Sequence, residues 1–112
     1  MYQELIINIC GIPYILIETS RNDEVLKGED GVKLCGRIFY EEARIYIQEE
    51  MSPERKERVV KHELAHGLLF ETQTSLKDQY CLEDLIEFMA IYSAQVEELF
   101  AQYKAFKSER YA

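Results

Sequence analysis

The chain has 112 residues, of which 47% are hydrophobic and 30% are charged, and this predicts a single globular domain over residues 1–112. Its net charge of −8 at pH 7 argues against a surface for nucleic acid or for an anionic membrane, because both need a basic patch. The N-terminal residues lack the pattern of a signal peptide and no apolar run is long enough to span a membrane, so we expect no membrane partner.

The amino-terminal third predicts two strands and a loop. The apolar run from Glu4 to Cys10 favours a strand, although a helix over part of it stays open because short apolar runs are ambiguous. Gly11-Ile12-Pro13 interrupts the run, and Tyr14 to Thr19 predicts a second strand, in which the proline favours an edge or a strand start. The polar stretch from Ser20 to Gly31 predicts a loop that includes a helical turn at Asp23 to Lys27.

The next segment predicts a β-hairpin with arms Val32 to Tyr40 and Ala43 to Gln48. In the second arm, Arg44, Tyr46 and Gln48 would face one way and the two isoleucines the other. That alternation is typical of a half-buried strand.

Two long helices are predicted for the rest of the chain. Ser52-Pro53-Glu54 reads as an N-cap, a proline at the first helical position and an acid in the first turn, so a helix should run from Pro53 to about Phe70. After a polar loop from Thr72 to Gln79, apolar residues recur at three- and four-residue steps from about Tyr80 almost to the end. The order predicts an α+β fold, in which a small antiparallel sheet or hairpins precede two long helices.

The first predicted helix carries His62-Glu63-Leu64-Ala65-His66, an H-E-x-x-H pattern that contains both histidines of the chain. Side chains four residues apart lie one helical turn above each other, so both imidazoles can point a nitrogen at one Zn²⁺ ion. Glu63 is one step round the helix from His62, where it can reach a water on the metal. The motif therefore predicts a zinc site at His62 and His66 with Glu63 as general base. The alternative is a surface helix whose His and Glu side chains are merely solvated.

A catalytic zinc usually has three protein ligands and a water. With no third histidine, the remaining ligand must be a carboxylate or Cys81. Glu83 and Glu87 are one turn apart on the second predicted helix, so one can ligate zinc while the other hydrogen-bonds a ligand histidine. The alternative for both is a solvated acid at a helix start. Cys10, Cys35 and Cys81 form no C-x-x-C pair and predict reduced thiols in a cytoplasmic protein, and a buried structural role is favoured for Cys81.

These motifs resemble the gluzincin class of zinc metallopeptidases and, more narrowly, the small ImmA/IrrE-type domains of phages, mobile elements and their bacterial hosts. The resemblance covers Arg37 to about Ala94. By position it implies Glu83 as the zinc ligand and Glu87 as the acid that hydrogen-bonds a ligand histidine. The family usually has Ala-Asn or Ala-Asp and then Phe-Ala where this chain has Ile86-Glu87, so the choice between Glu83 and Glu87 stays open. The segments that carry the resemblance are Ile45-Tyr46-Ile47, Ser52-Pro53-Glu54, His62-Glu63-Leu64-Ala65-His66 and Glu83-x-x-Ile86-Glu87-Phe88-Met89-Ala90.

The resemblance implies a zinc metallopeptidase that hydrolyses a peptide bond in a protein substrate, such as a regulator. Gluzincins often stabilise the oxyanion with a further histidine, which this chain lacks, so Tyr80 and, less favoured, Arg37 are candidates. It also implies a strand edge beside the zinc helix to which a peptide can add; the Ala43 to Gln48 arm is the candidate, and the alternative for it is a purely structural hairpin arm. The alternatives are a non-catalytic zinc-binding or protein-interaction module that retains the H-E-x-x-H site, and a protein without metal. The sequence does not indicate an oligomeric state.

Overall fold

A computed structural model describes the backbone of residues 3–72 and 82–111 and the side chains of residues 4–72 and 93–107. Over these residues the chain forms four strands, one short 3-10 helix and two long helices. In chain order they are β1 (Gln3–Ile9), β2 (Ile12–Thr19), the 3-10 helix (Glu24–Leu26), β3 (Gly36–Phe39), β4 (Arg44–Gln48), α1 (Pro53–Thr72) and α2 (Leu82–Tyr111). The α+β fold class is confirmed, and so is the helical turn after β2.

The four strands form one sheet in the order β1-β2-β4-β3. The two amino-terminal strands, β1 and β2, pair antiparallel, and so do β3 and β4, the predicted hairpin. Since β2 and β4 pair in parallel, the sheet is mixed rather than antiparallel throughout. A parallel pair needs a long crossover, and the segment between Thr19 and Arg44 provides one because it contains the 3-10 helix and β3.

The turn between β1 and β2 uses two residues with left-handed backbone conformation, Cys10 at φ 53° and Gly11 at φ 84°. Positive φ at both central positions is the requirement of the two-residue turn that matches the twist of a hairpin. Pro13 is the second residue of β2, which is an inner strand. Of the two placements that the proline allowed, the strand start is therefore the correct one.

The core lies between the sheet and the two helices. In β4, Ile45 and Ile47 are fully buried and their neighbours are half-buried, which confirms the predicted alternation. Ser52 caps α1, because its Oγ accepts a hydrogen bond from the Arg55 backbone N–H at 3.3 Å. The helix then ends at Thr72, two residues beyond the predicted end. Neither helix, over the described residues, is long and apolar enough to cross a membrane. The buried core residues are Leu5, Ile7, Ile9, Tyr14, Leu16, Ile45, Ile47, Val60, Leu64, Leu68, Leu99, Phe100 and Tyr103.

Candidate metal centre

The predicted histidine pair lies on the outer face of α1. Val60, Leu64 and Leu68 of the same helix are buried in the core. The histidines lie two residues from these positions, about half a turn round the helix, so His62 and His66 are exposed. Their Nε2 atoms are 3.1 Å apart, and the ring centroids are 4.6 Å apart with the rings inclined at 75°.

This spacing of the two nitrogens fits a shared metal ion. Tetrahedral zinc with Zn–N bonds of about 2.0–2.1 Å places two ligand nitrogens roughly 3.3 Å apart. The observed 3.1 Å lies close to that value, and a hydrogen bond between the two rings has a similar length. The spacing is therefore compatible with both imidazoles binding one ion from the same helix face.

His66 is held in the form that binds metals. Burial lowers the pKa of its imidazole below the usual 6.5, and the positive charge of a protonated His62 lowers it further. A neutral imidazole is the ligand form of histidine, so His66 stays competent for a metal to more acidic pH than an ordinary histidine does.

Glu63, the predicted general base, is buried beside the histidine pair with 8% of its surface exposed. Burial raises the pKa of its carboxyl above the usual 4.5, and the positive charge of a protonated His62 opposes this only in part. Its carboxylate has no hydrogen-bond or ion-pair partner among the described residues. A buried acid with a raised pKa next to two imidazoles is typical of a group that exchanges protons during catalysis.

Strand β3 packs against the helix at this acid. A Cβ added to Gly36 would lie 3.1 Å from Glu63 Cγ, 3.1 Å from Glu63 Oε2 and 2.9 Å from Val59 Cγ1. Gly36 therefore allows the strand backbone to approach closer than any other residue would. Gly36 was not among the predicted site residues, although an isolated glycine in a strand pattern is a signal of such close approach.

The strand edge beside α1 belongs to β3, so of the two interpretations of the Ala43 to Gln48 arm the peptide-binding edge is wrong and the structural hairpin arm is correct. That arm forms β4, which pairs with β2 on one side and with β3 on the other. β3 is the outer strand, and its second edge is unpaired within the described sheet. The second arm was predicted to within one residue, whereas the first is shorter than predicted, because β3 spans only Gly36–Phe39 within Val32 to Tyr40. Which arm lies outside depends on the parallel pairing of β2 with β4.

Arg37, one of the two candidates for oxyanion stabilisation, lies away from the histidines. Its guanidinium donates hydrogen bonds to the backbone oxygens of Lys27 at 2.8 Å and Val25 at 3.4 Å. It also lies over the Phe39 ring, 4.7 Å from the centroid. Because Gly36 meets α1, the alternation along β3 directs Arg37 to the opposite face of the sheet.

The remaining predicted site residues cannot be placed by their side chains. Glu83 and Glu87 lie in the first two turns of α2, and their side chains are outside the described ones. Tyr80 and Cys81 lie outside the described residues altogether. Within the described part of the chain, no group of three or more His, Cys, Asp or Glu side chains could hold a metal ion. The third ligand therefore stays a prediction.

One comparison with known proteins gives a match. The family model Peptidase_M78, described as the IrrE N-terminal-like domain, matches residues 17–102, well over half of the chain. The matched range contains the histidine pair, Glu63 and both candidate acids of α2. Neither a curated protein nor a solved structure matches the chain significantly.

Proposed function

The chain belongs to the Peptidase_M78 family of IrrE N-terminal-like domains, and from that premise we propose that it is a zinc-dependent metallopeptidase that hydrolyses a peptide bond in a protein substrate. The supporting observation is the convergence of the His62 and His66 Nε2 atoms, 3.1 Å apart, beside a buried Glu63. Two imidazoles a turn apart with an adjacent acid are the donor set that zinc peptidases use.

His62 and His66 would hold the metal together with Glu83, and Glu87 is the alternative ligand or the acid that hydrogen-bonds a ligand histidine. When bound, zinc supplies Lewis acidity that polarises a carbonyl and acidifies water. The choice of Glu83 rests on the resemblance alone, because both acids lie in the first two turns of α2 and their position in the helix does not distinguish them.

Glu63 is proposed to take a proton from the attacking water and to deliver it to the leaving amine. A general base works best when its pKa lies near the working pH, and burial shifts the pKa of Glu63 in that direction. The close approach of Gly36 to Glu63 Cγ and Oε2 restricts the side chain to a small range of positions against β3, where the charge of His62 still acts on it.

The free edge of β3 is proposed to bind the substrate backbone. An extended peptide can add to an unpaired strand edge through main-chain hydrogen bonds. β3 runs beside α1, because Gly36 packs against Glu63 and Ile38 packs against Gly67. A peptide added to the free edge of β3 would therefore pass the histidine pair. A regulator such as a transcriptional repressor, in the cytoplasm of a phage host, is the substrate proposed by analogy to the family.

A non-catalytic zinc-binding or protein-interaction module is the second candidate function. The position of Arg37 favours it, because this candidate for oxyanion stabilisation is bonded to Lys27 and Val25 at the other face of the sheet. Such a module would retain the metal and the strand edge without turnover.

Two substitutions test the proposal, with zinc content and hydrolysis of a quenched fluorescent peptide library as the two measurements. Glu63→Gln should retain zinc and lose at least about 100-fold in hydrolysis, the typical contribution of a general base. His62→Ala should lose zinc. Glu98→Gln, at an exposed acid of α2 away from the histidines, is the matched control. Full activity in zinc-loaded Glu63→Gln would contradict the assigned base, and a zinc-loaded wild type that cleaves nothing would favour the second candidate.

A further inference from the structure

A row of four side chains runs along α1 at four-residue steps: Arg58, His62, His66 and Phe70. Residues four apart on a helix are neighbours on its surface, so the row is continuous. All four residues are exposed. The candidate metal ligands thus lie in the middle of a strip with a cation at one end and an aromatic ring at the other.

The first end of the row is basic. A cavity of about 430 Å³ is lined there by Cys35, Ser52, Glu54, Arg55, Arg58 and Val59. Arg55 and Arg58 are exposed, and their side chains have no ion-pair partner among the described residues. In a chain with a net charge of −8, two neighbouring guanidinium groups without a carboxylate partner are placed to attract an acidic side chain.

The second end of the row is aromatic. Phe70 is 47% exposed, and its ring stacks on that of Tyr40 with centroids 4.6 Å apart and planes inclined at 21°. A cavity of about 310 Å³ lies beside this pair, lined by Ile38, Phe39, Tyr40, Glu41, Glu42 and Phe70. The cavity has room for one large apolar side chain. Glu41 and Glu42, both exposed, would repel an acidic side chain from this end.

The two ends are spaced for one extended peptide. Arg58 and Phe70 are twelve residues apart on α1, about 18 Å at the helical rise. An extended chain covers that distance in about five residues. β3 follows the same course, because Gly36 lies at Glu63 and Tyr40, just after the strand, lies at Phe70. A peptide on the β3 edge would therefore meet both cavities, with its middle opposite the histidines.

We propose that this row selects the substrate, by binding a segment with an acidic side chain at Arg55 and Arg58 and a large apolar side chain about five residues away at Tyr40 and Phe70. The bond to be cut lies between them. This inference rests on the proposed function and adds to it the class of substrate sequence that the site accepts. The acids Glu41 and Glu42 make the two ends non-interchangeable.

Binding of labelled peptides to the zinc-loaded full chain tests the proposal without the need for turnover. The peptides carry Asp and Phe five residues apart, in both orders. Each peptide is compared with two matched controls, one with Asp replaced by Lys and one with Phe replaced by Ala. Fluorescence anisotropy should show that, in at least one order, the Asp and Phe peptide binds about tenfold tighter than both of its controls. Equal binding of all peptides would overturn the proposal.

Variants of the row should then change the preference in a defined way. Reversing the charge of both arginines, in Arg55→Glu with Arg58→Glu, should make the Lys peptide bind more tightly than the Asp peptide. Phe70→Ala should remove the discrimination between Phe and Ala. Matched controls are Arg21→Glu, an exposed arginine in the loop after β2, and Ile6→Ala, an exposed apolar side chain on β1. An unchanged preference in the row variants, or an equal change in the controls, would overturn the proposal.

Failure of this inference is separable from failure of the proposed function. If the wild type binds the Asp and Phe peptides selectively but cuts none of them, the peptidase function is contradicted and the binding role of the row is supported. If the wild type cuts peptides regardless of these two side chains, the peptidase function is supported and the selective role of the row is contradicted.

Discussion

Two buried glutamates in this small domain differ in what surrounds them. Glu18 on β2 is 3% exposed and Glu63 on α1 is 8% exposed. Glu18 accepts hydrogen bonds from Tyr103 at 2.6 Å, Lys107 at 3.0 Å and Lys56 at 3.1 Å, whereas the Glu63 carboxylate has no such partner among the described residues.

The difference in partners reverses the effect of burial on the pKa. Burial alone would raise the pKa of Glu18, but the hydrogen bonds from Tyr103, Lys107 and Lys56 outweigh it and bring the pKa below the usual 4.5. Burial raises the pKa of Glu63, and the positive charge of a protonated His62 offsets this rise only in part. One acid thus joins the sheet to both helices, and the other remains available for proton transfer.

Removing the charge of Glu18 should produce the largest loss of stability. Glu18→Gln removes the buried carboxylate that Lys56 and Lys107 both bind, and we expect a loss of about 3 kcal/mol in the free energy of unfolding, measured with urea at pH 7. Because the pKa of Glu18 is lowered in the fold, its stabilisation is complete above the unfolded-state pKa of about 4.5 and disappears as pH falls through the folded pKa. Wild type and variant should therefore converge in acid.

Glu49→Gln is the control for this prediction, because Glu49 is exposed. Its free energy of unfolding should change by less than about 0.5 kcal/mol. A Glu18→Gln variant as stable as this control would show that the cluster around Glu18 contributes nothing to stability.

Filling the space at Gly36 should have the next largest effect. In Gly36→Ala the new Cβ would lie 2.9 Å from Val59 Cγ1 and 3.1 Å from Glu63 Oε2, so the strand or the acid must shift. We expect a loss of about 2 kcal/mol in stability, typical of an overpacked contact, together with reduced hydrolysis at full zinc content. Adding Val59→Ala should restore part of the stability, which a double-mutant cycle measures. Additive losses in that cycle would contradict the contact.

Glu63 should show the smallest effect and the opposite sign. In the metal-free protein, Glu63→Gln should increase the free energy of unfolding by about 1 kcal/mol at pH 7, because it removes a buried carboxyl whose ionised form has no hydrogen-bond or ion-pair partner among the described residues. Since the pKa of Glu63 is raised in the fold, ionisation costs stability as pH rises above the unfolded-state value, and the cost is absent in acid. Thermal melts with chelator, from pH 4 to pH 8, should show the gain growing with pH. A loss of stability at pH 7 would mean that Glu63 has an unrecognised partner.

Local features were predictable from the sequence because they depend on neighbouring residues. The Ser52 cap, the alternation of Ile45 and Ile47, and the placement of both histidines on one helix face follow from periodicity and side-chain chemistry. The H-E-x-x-H pattern carries its geometry within five residues, and that is why the candidate metal centre could be identified at all.

Features that join distant parts of the chain were not predictable. The parallel pairing of β2 with β4, and hence the free edge of β3, depends on the path of the crossover rather than on any local pattern. The partners of Glu18 lie 38 to 89 residues away along the chain. Its burial shows only in the structure, where Leu16 to Thr19 are buried without alternation, as in a strand covered on both faces.

A map of anomalous scattering at the zinc absorption edge, from crystals of the purified protein, tests the proposed metal centre most directly. The account predicts one strong peak about 2.0–2.1 Å from the Nε2 atoms of both His62 and His66, with a carboxylate of Glu83 or Glu87 at a similar distance. A map from zinc-supplemented crystals with no peak between the two imidazoles, or with a peak that no acid of α2 approaches, would contradict it.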